Sequence, residues 1–212
     1  MTRLLSRTTA ALCVRLRRLN NRAAAFWHER RPPVVDWRRV ERLVVVCAGN
    51  VCRSPYAQTR ALSLGMPSVS FGLVTTGGVP ADATAQLVAR RRGLALERHR
   101  SVQPFQIVIG AGDLVLCMEP GQLRAVRRRV RSGGGQAALI GLWASPPRAV
   151  IEDPYGRGEA CFEACFSQLD DALNALQAQW QATLGRGQGG GSREPGAPAA
   201  TDADPDRVMW FR

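Results

Sequence analysis

The apolar positions of this chain fall into short unbroken runs that alternate with stretches of helical spacing. Residues 43–47 are apolar throughout and mostly β-branched, then stop at Ala48, Gly49 and Asn50, the pattern of a short strand buried on both faces. From Ser54 the chain reads as a helix through Leu62, with Pro55 in the first turn, where a missing N–H costs nothing. Residues 67–73 read as a second strand, and Asp82 as the N-cap of a helix that runs to Gly93. Residues 113–118 repeat the buried-strand pattern. Residues 120–131 form a basic amphipathic helix broken by Gly133, Gly134 and Gly135, and residues 136–143 a last strand. Residues 159–184 are a long helix with an apolar stripe at Phe162, Cys165, Phe166, Leu169, Leu173, Leu176 and Trp180. Strands alternating with helices predict an α/β fold with a parallel sheet covered on both faces. Ligands of such sheets sit beyond the carboxyl ends of the strands, where residues 47–53 fall.

Composition adds a charge question. The 212 residues carry a formal +12, which invites a nucleic-acid reading. The excess is uneven: residues 1–42 hold 11 Arg against 3 acids, a net +8, and residues 43–212 hold 18 Arg against 14 acids, a net +4. Every Lys/Arg position is Arg, which a GC-rich coding sequence explains as well as any function. Three units follow: a basic extension (1–42), the α/β domain (43–184) and a tail (185–212) whose Gly, Pro, Ala and charge content predicts disorder. The extension spaces Leu5, Leu12, Leu16, Leu19, Ala23 and Phe26 among arginines, as in a helix lying on an anionic membrane. Sequence translated upstream of the working start fits that pattern equally well. The apolar patch at Val208, Met209, Trp210 and Phe211 reads as a loose tail more readily than as a docking peptide. The six Cys sit mostly in apolar runs and do not form a disulfide framework. With no run of 18 apolar residues and a poor secretory signal, the chain is expected in the reducing cytoplasm.

The chemistry gathers in Cys47-Ala48-Gly49-Asn50-Val51-Cys52-Arg53-Ser54. A loop of this length between strand and helix can turn successive backbone N–H groups onto one point, an anion nest reinforced by the helix N-terminus. Arg53 supplies a planar fork matched to two phosphate oxygens. A cysteine at the base of such a nest is favoured as the thiolate, and Ser54 can hydrogen-bond the sulfur. The ensemble reads as a nucleophile under a phosphate cradle. Zinc is not expected, because His28 and His99 lie far off with no matching Cys pair, and no other cofactor is called for. A Walker loop needs a Lys that this chain lacks, and Gly110-Ala111-Gly112 leads into a strand rather than a helix.

From residue 43 to 184 the chain resembles the low-molecular-weight protein tyrosine phosphatases, in particular bacterial members paired with exopolysaccharide tyrosine kinases. The loop is one pillar of that resemblance and Ile151-Glu152-Asp153-Pro154-Tyr155 the other. Gly78-Val79-Pro80-Ala81-Asp82, Glu97-Arg98-His99-Arg100-Ser101 and Asp113-Leu114-Val115-Leu116-Cys117-Met118-Glu119 recur between them in matching order. The resemblance implies a single flavodoxin-like three-layer α/β domain with a four-stranded parallel sheet. It also implies metal-independent hydrolysis of phosphotyrosine. Cys47 would attack phosphorus, and Arg53 with the amides of Ala48, Gly49, Asn50, Val51, Cys52 and Ser54 would hold the phosphoryl oxygens. Asp153 would protonate the leaving phenolate and then serve as base toward water. Asn50, Ser70 and His99 would hold the loop in shape, and Tyr155 would stack on the substrate ring. Cys52 would be a candidate for a reversible disulfide with Cys47. The implied partner is a phosphotyrosine protein, such as the tail of a membrane-bound kinase.

The chain departs from the family pattern at Phe71, where Ala is usual, and at Thr75 and Thr76, where a large apolar wall is common. Gly156 stands where some members have a second aromatic. The runner-up activity is protein arginine phosphatase, disfavoured because that loop carries Thr in place of Val51. A thioredoxin-linked arsenate reductase is weaker still, since Cys117, Cys161 and Cys165 do not form the relay it needs. A phosphotyrosine-binding module would lack Cys47 or Asp153, and a nucleic-acid binder rests on Arg content alone.

Overall fold

The computed structural model describes residue 29 and residues 34–188. The helix expected near the start of the extension, and the tail from residue 189 on with Val208 to Phe211, lie outside the described residues. Strand β1 (Arg42–Cys47) is followed by helix α1 (Arg53–Ser63), strand β2 (Ser68–Gly72), helix α2 (Ala83–Arg91), strand β3 (Asp113–Cys117), helix α3 (Pro120–Gly133), strand β4 (Gln136–Leu139) and helix α4 (Glu159–Gln188). All strand pairs are parallel and the order across the sheet is β2-β1-β3-β4. This is the three-layer α/β arrangement expected. The β1/β3 boundary is where the chain changes direction across the sheet, the position at which such folds bind ligands.

The alternation of the apolar runs sorts the two cores. Leu43 and Val45 of β1, with Leu114 and Leu116 of β3, face α1, α2 and the stripe of α4. Val44 and Val46 face the other way with Phe71, Val115, Cys117 and Val126, under α3. Asp82 caps α2 as expected, accepting from the amides of Thr84 at 2.9 Å and Ala85 at 3.0 Å. Gly134, at φ 73°, ends α3 in the left-handed conformation.

Three boundaries differ from the sequence expectation. The last strand stops at Leu139, and Ile140–Trp143 is a 3₁₀ turn. Gly141 is the reason: the Arg148 carbonyl lies 2.3 Å from where its Cβ would stand, and the Arg148 amide donates to the Gly141 carbonyl at 2.8 Å. The chain there folds back toward residues 151–153 and cannot continue in the sheet. Helix α4 runs to Gln188 rather than 184, through Gly185 and Gly187, whose weak helix propensity is why the sequence places the end earlier. Residues 34–41, expected in the extension, pack on the domain. Asp36 exchanges backbone bonds with the Gln136 side chain at 2.7 and 2.9 Å, and Trp37 meets Trp143 edge-on at 5.9 Å. Val40 is buried, and Glu29 accepts from the Ala149 amide at 2.9 Å.

Candidate active site

Cys47 ends β1, buried, and the loop that follows bends over Gly72 at the end of β2. The bend requires Asn50 at φ 55°, a conformation that Asn tolerates better than most residues. The side chain of Asn50 then locks the turn from inside. Its Nδ2 donates to Ser54 Oγ and Ser70 Oγ, each at 2.8 Å, and its Oδ1 accepts from the Val102 amide at 2.8 Å. Ser70 Oγ donates to Gln58 Oε1 at 2.6 Å, and His99 Nε2 donates to the Asn50 carbonyl at 2.8 Å. Burial lowers the His99 pKa, favouring the neutral ring that makes this bond.

The loop carbonyls are turned outward. Cys47 O accepts from the Leu73 amide at 3.0 Å, Ala48 O from Val74 at 2.9 Å, Val51 O from Asp82 at 2.9 Å, and Asn50 O is held by His99. In a planar trans peptide the N–H points opposite to its C=O. The amides of Ala48, Gly49, Val51 and Cys52 therefore face into the turn. The Asn50 amide donates to Cys47 Sγ at 3.2 Å and Ser54 Oγ donates to it at 3.0 Å. Two donors thus meet at this sulfur.

Cys52 differs. Burial, followed by the nearby Asp82 and Asp153 carboxylates, pushes its thiol up. Burial likewise holds the Cys165 thiol up at about 12 and pushes the Cys117 thiol up.

Arg53 opens α1 and is almost fully buried. Its Nη1 donates to Ile151 O at 3.0 Å and its Nη2 to Asp153 Oδ2 at 2.6 Å, while its Nε is buried without a hydrogen-bond partner. The turn carrying Asp153 is tied to the sheet by the Ile151 amide, which donates to Met118 O at 2.8 Å. Asp153 remains half exposed, with Oδ1 accepting from the Tyr155 amide at 3.3 Å. Cys47, Arg53, Asp153 and Tyr155 line one cavity of about 440 Å³. Tyr155 stands at the rim, 66% exposed.

Of the residues singled out from the sequence, 47–49, 51–53, Asp153 and Tyr155 line this cavity, and Asn50, Ser54, Ser70 and His99 support the loop from behind. Thr75 and Thr76 line the cavity wall, as the sequence suggested. Thr75 donates to Ser101 Oγ at 2.9 Å, which fixes the wall to the segment carrying His99. Phe71 does not reach the cavity: it points to the opposite face of the sheet, 5.3 Å from the Arg129 guanidinium. Gln58, the Val102 amide and Gly72 escaped the sequence reading, and Asp82, expected as a helix cap, also lines the cavity. Gly72 has the sharpest requirement. A Cβ there would lie 2.8 Å from Gly49 C, 2.9 Å from Ala48 O and 2.9 Å from Asn50 N.

Substituting Gly72→Ala therefore drives a methyl into the loop backbone and not into a flexible side chain. The expected result is a loss of about 10²-fold or more in turnover of an aryl phosphate, because displaced donors miss the developing charge. Far-ultraviolet circular dichroism should stay native. Turnover within threefold of wild type would show that the loop does not need this close approach.

A family model described as low molecular weight phosphotyrosine protein phosphatase matches residues 42–186. The chain is 35% identical over 144 residues to the probable low molecular weight protein-tyrosine-phosphatase AmsI of Erwinia amylovora, covering 65% of this chain and 98% of that one. Among solved structures it resembles Vibrio vulnificus Wzb in complex with benzylphosphonate, with a TM-score of 0.57, 28% identity, and coverage of 66% of this chain and 99% of that one. The YwlE arginine phosphatase of Geobacillus stearothermophilus shares the fold, with a TM-score of 0.60 at 23% identity, over 69% of this chain and 96% of that one.

Proposed function

Because the chain belongs to the low molecular weight phosphotyrosine protein phosphatase family, we propose that it hydrolyses phosphotyrosine on protein substrates through a phosphocysteine intermediate. The catalytic unit is the domain of residues 43–184. A lone pair of Cys47 Sγ attacks phosphorus in line with the phenolic oxygen. The P–O bond breaks as the S–P bond forms, and Asp153 gives its proton to the departing phenolate, a group basic enough (pKa about 10) to need it. Arg53 and the loop amides hold the three equatorial oxygens while their charge redistributes. Water then attacks phosphorus, Asp153 takes up its proton, the S–P bond breaks and inorganic phosphate leaves. Ser54 supports the sulfur as leaving group in this second step.

One observation carries the reading. Two donors converge on the Cys47 sulfur, inside a loop whose Cys47, Ala48, Asn50 and Val51 carbonyls are bonded outward, across the same cavity from Asp153. The Arg53–Asp153 pair fits the sequence of events. A phosphate dianion draws the guanidinium to itself and sets negative charge beside Asp153, which favours the protonated carboxyl that the leaving group needs. Val51 and Tyr155 offer an aryl ring apolar surface, and a relative takes benzylphosphonate, an aryl analogue of this substrate. The partner we propose is a phosphotyrosine protein, with a membrane-bound tyrosine kinase of exopolysaccharide production as the physiological candidate. The protein would work at the cytoplasmic side, with the part of residues 1–42 that precedes the packed segment 34–41 as a further contact to the membrane. Among the described residues, no helix is long and apolar enough to cross a membrane.

The reading is tested with Asp153→Asn. The kcat/KM for a phosphotyrosine peptide, which reports the first step, should fall about 10²–10⁴-fold, and that for an activated nitrophenyl phosphate much less, because a weakly basic leaving group needs no acid. An equal effect on both substrates would remove Asp153 from the acid role. Faster cleavage of phosphoarginine than of phosphotyrosine by the wild type would replace the substrate assignment.

A further inference from the structure

Helix α3 carries five arginines and no acid within its bounds. Arg129 alone turns inward, donating through Nη2 to Pro104 O at 2.7 Å and to Ile107 O at 2.8 Å, beneath the Phe71 ring. Arg124, Arg127, Arg128 and Arg131 are exposed and stand at i, i+3, i+4 and i+7, so they share one face. Together with Ser132 they line a single surface cleft. Arg127, Arg128 and Arg131 lie within one turn of one another, and like charges at that spacing weaken a helix, so this face gains from an anionic neighbour.

A neighbouring cleft joins Arg128 and Ser132 to Phe105 and Val108, which are 76% and 81% exposed. The two bonds from Arg129 hold this turn against α3. Phe105 and Val108 are thus held outward beside Arg128 by a fixed backbone. A nucleic acid would neutralise the arginines and could stack a base on Phe105 but would leave Val108 in water, and a purely acidic peptide would leave both there. A bilayer with anionic headgroups engages both, the guanidinium groups at the phosphates and the two apolar side chains just below them. The geometry points to the exposed face of α3, with the turn carrying Phe105 and Val108, as a docking face for an anionic lipid surface. These clefts share no lining residue with the active-site cavity, so docking leaves that cavity open.

The test is sedimentation of the full 212-residue chain with vesicles of phosphatidylglycerol and phosphatidylcholine in equal parts, and with phosphatidylcholine alone. The wild type should bind the first and not the second, and should weaken as salt is raised. The triple variant Arg127→Gln/Arg128→Gln/Arg131→Gln should lose at least about tenfold in vesicle affinity. Phe105→Ala/Val108→Ala should lose a comparable amount that lowering the salt does not restore. Unchanged aryl-phosphate turnover in both variants reports an intact fold. The proposal is overturned if the wild type ignores anionic vesicles, or if the triple variant binds them as tightly, as it would were residues 1–42 the sole contact. It is equally overturned if the apolar variant binds as the wild type does, or if an oligonucleotide or an acidic peptide binds the arginine face in preference to vesicles.

Discussion

Replacing Cys47 with serine is expected to abolish turnover, by at least about 10⁴-fold in kcat on an aryl phosphate, with the fold intact. The substitution exchanges one small buried atom for another, so packing changes little. What changes is the attacking group. The amide of Asn50 and the hydroxyl of Ser54 are aimed at position 47 to hold an anion, and a serine hydroxyl does not ionise under the same two donors. The serine variant keeps the amide nest and Arg53, so it should still bind inorganic phosphate or vanadate within a few-fold of wild type by calorimetry. Retained turnover would mean that the nucleophile lies elsewhere. Lost turnover together with lost oxyanion binding would mean that the loop itself had collapsed.

Arg53→Lys is expected to cost about 10³-fold in kcat/KM, although the charge is kept. The guanidinium reaches three directions at once: Nη1 to the Ile151 carbonyl, Nη2 to Asp153, and Nε buried in the cavity lining without a protein partner. A single ammonium cannot tie down the 151–153 turn while presenting a flat pair of donors to phosphate. The lysine variant should therefore lose on both counts, with Asp153 less well placed and the equatorial oxygens less well held. Steady-state kinetics on a phosphotyrosine peptide decide the matter. A loss of less than tenfold would show that charge alone suffices at this position.

The parts of the fold visible in the sequence are those whose signal is local. The apolar run of β1, the small-residue turn after it and Pro55 mark the strand, loop and helix start without reference to the rest of the chain. Asp82 and the α4 stripe are equally local. The missed features depend on residues brought together from far away. Gln58 is an ordinary polar position on α1 until Ser70 arrives beside it, and the Val102 contribution is a backbone amide with no side-chain signature. Gly72 reads as the end of a strand, and only the approach of the Ala48–Asn50 backbone reveals why no Cβ fits. The departure at Phe71 is explained only by the fold: the alternation of β2 sends its bulk to the α3 side of the sheet, away from the cavity. Residues 34–41 look like more of the basic extension until Trp37 finds Trp143 and Asp36 finds Gln136.

The most direct test of the central claim is to trap the intermediate. The wild type, with chelator present, is mixed with a phosphotyrosine peptide, quenched in acid within its first turnovers, digested and analysed by mass spectrometry. The account predicts an acid-stable phosphoryl group on the peptide that carries Cys47, absent from Cys47→Ser and accumulating when release is slowed in Asp153→Asn with an activated substrate. Rapid turnover with no phosphoryl group on Cys47, or with one on another residue, would contradict it.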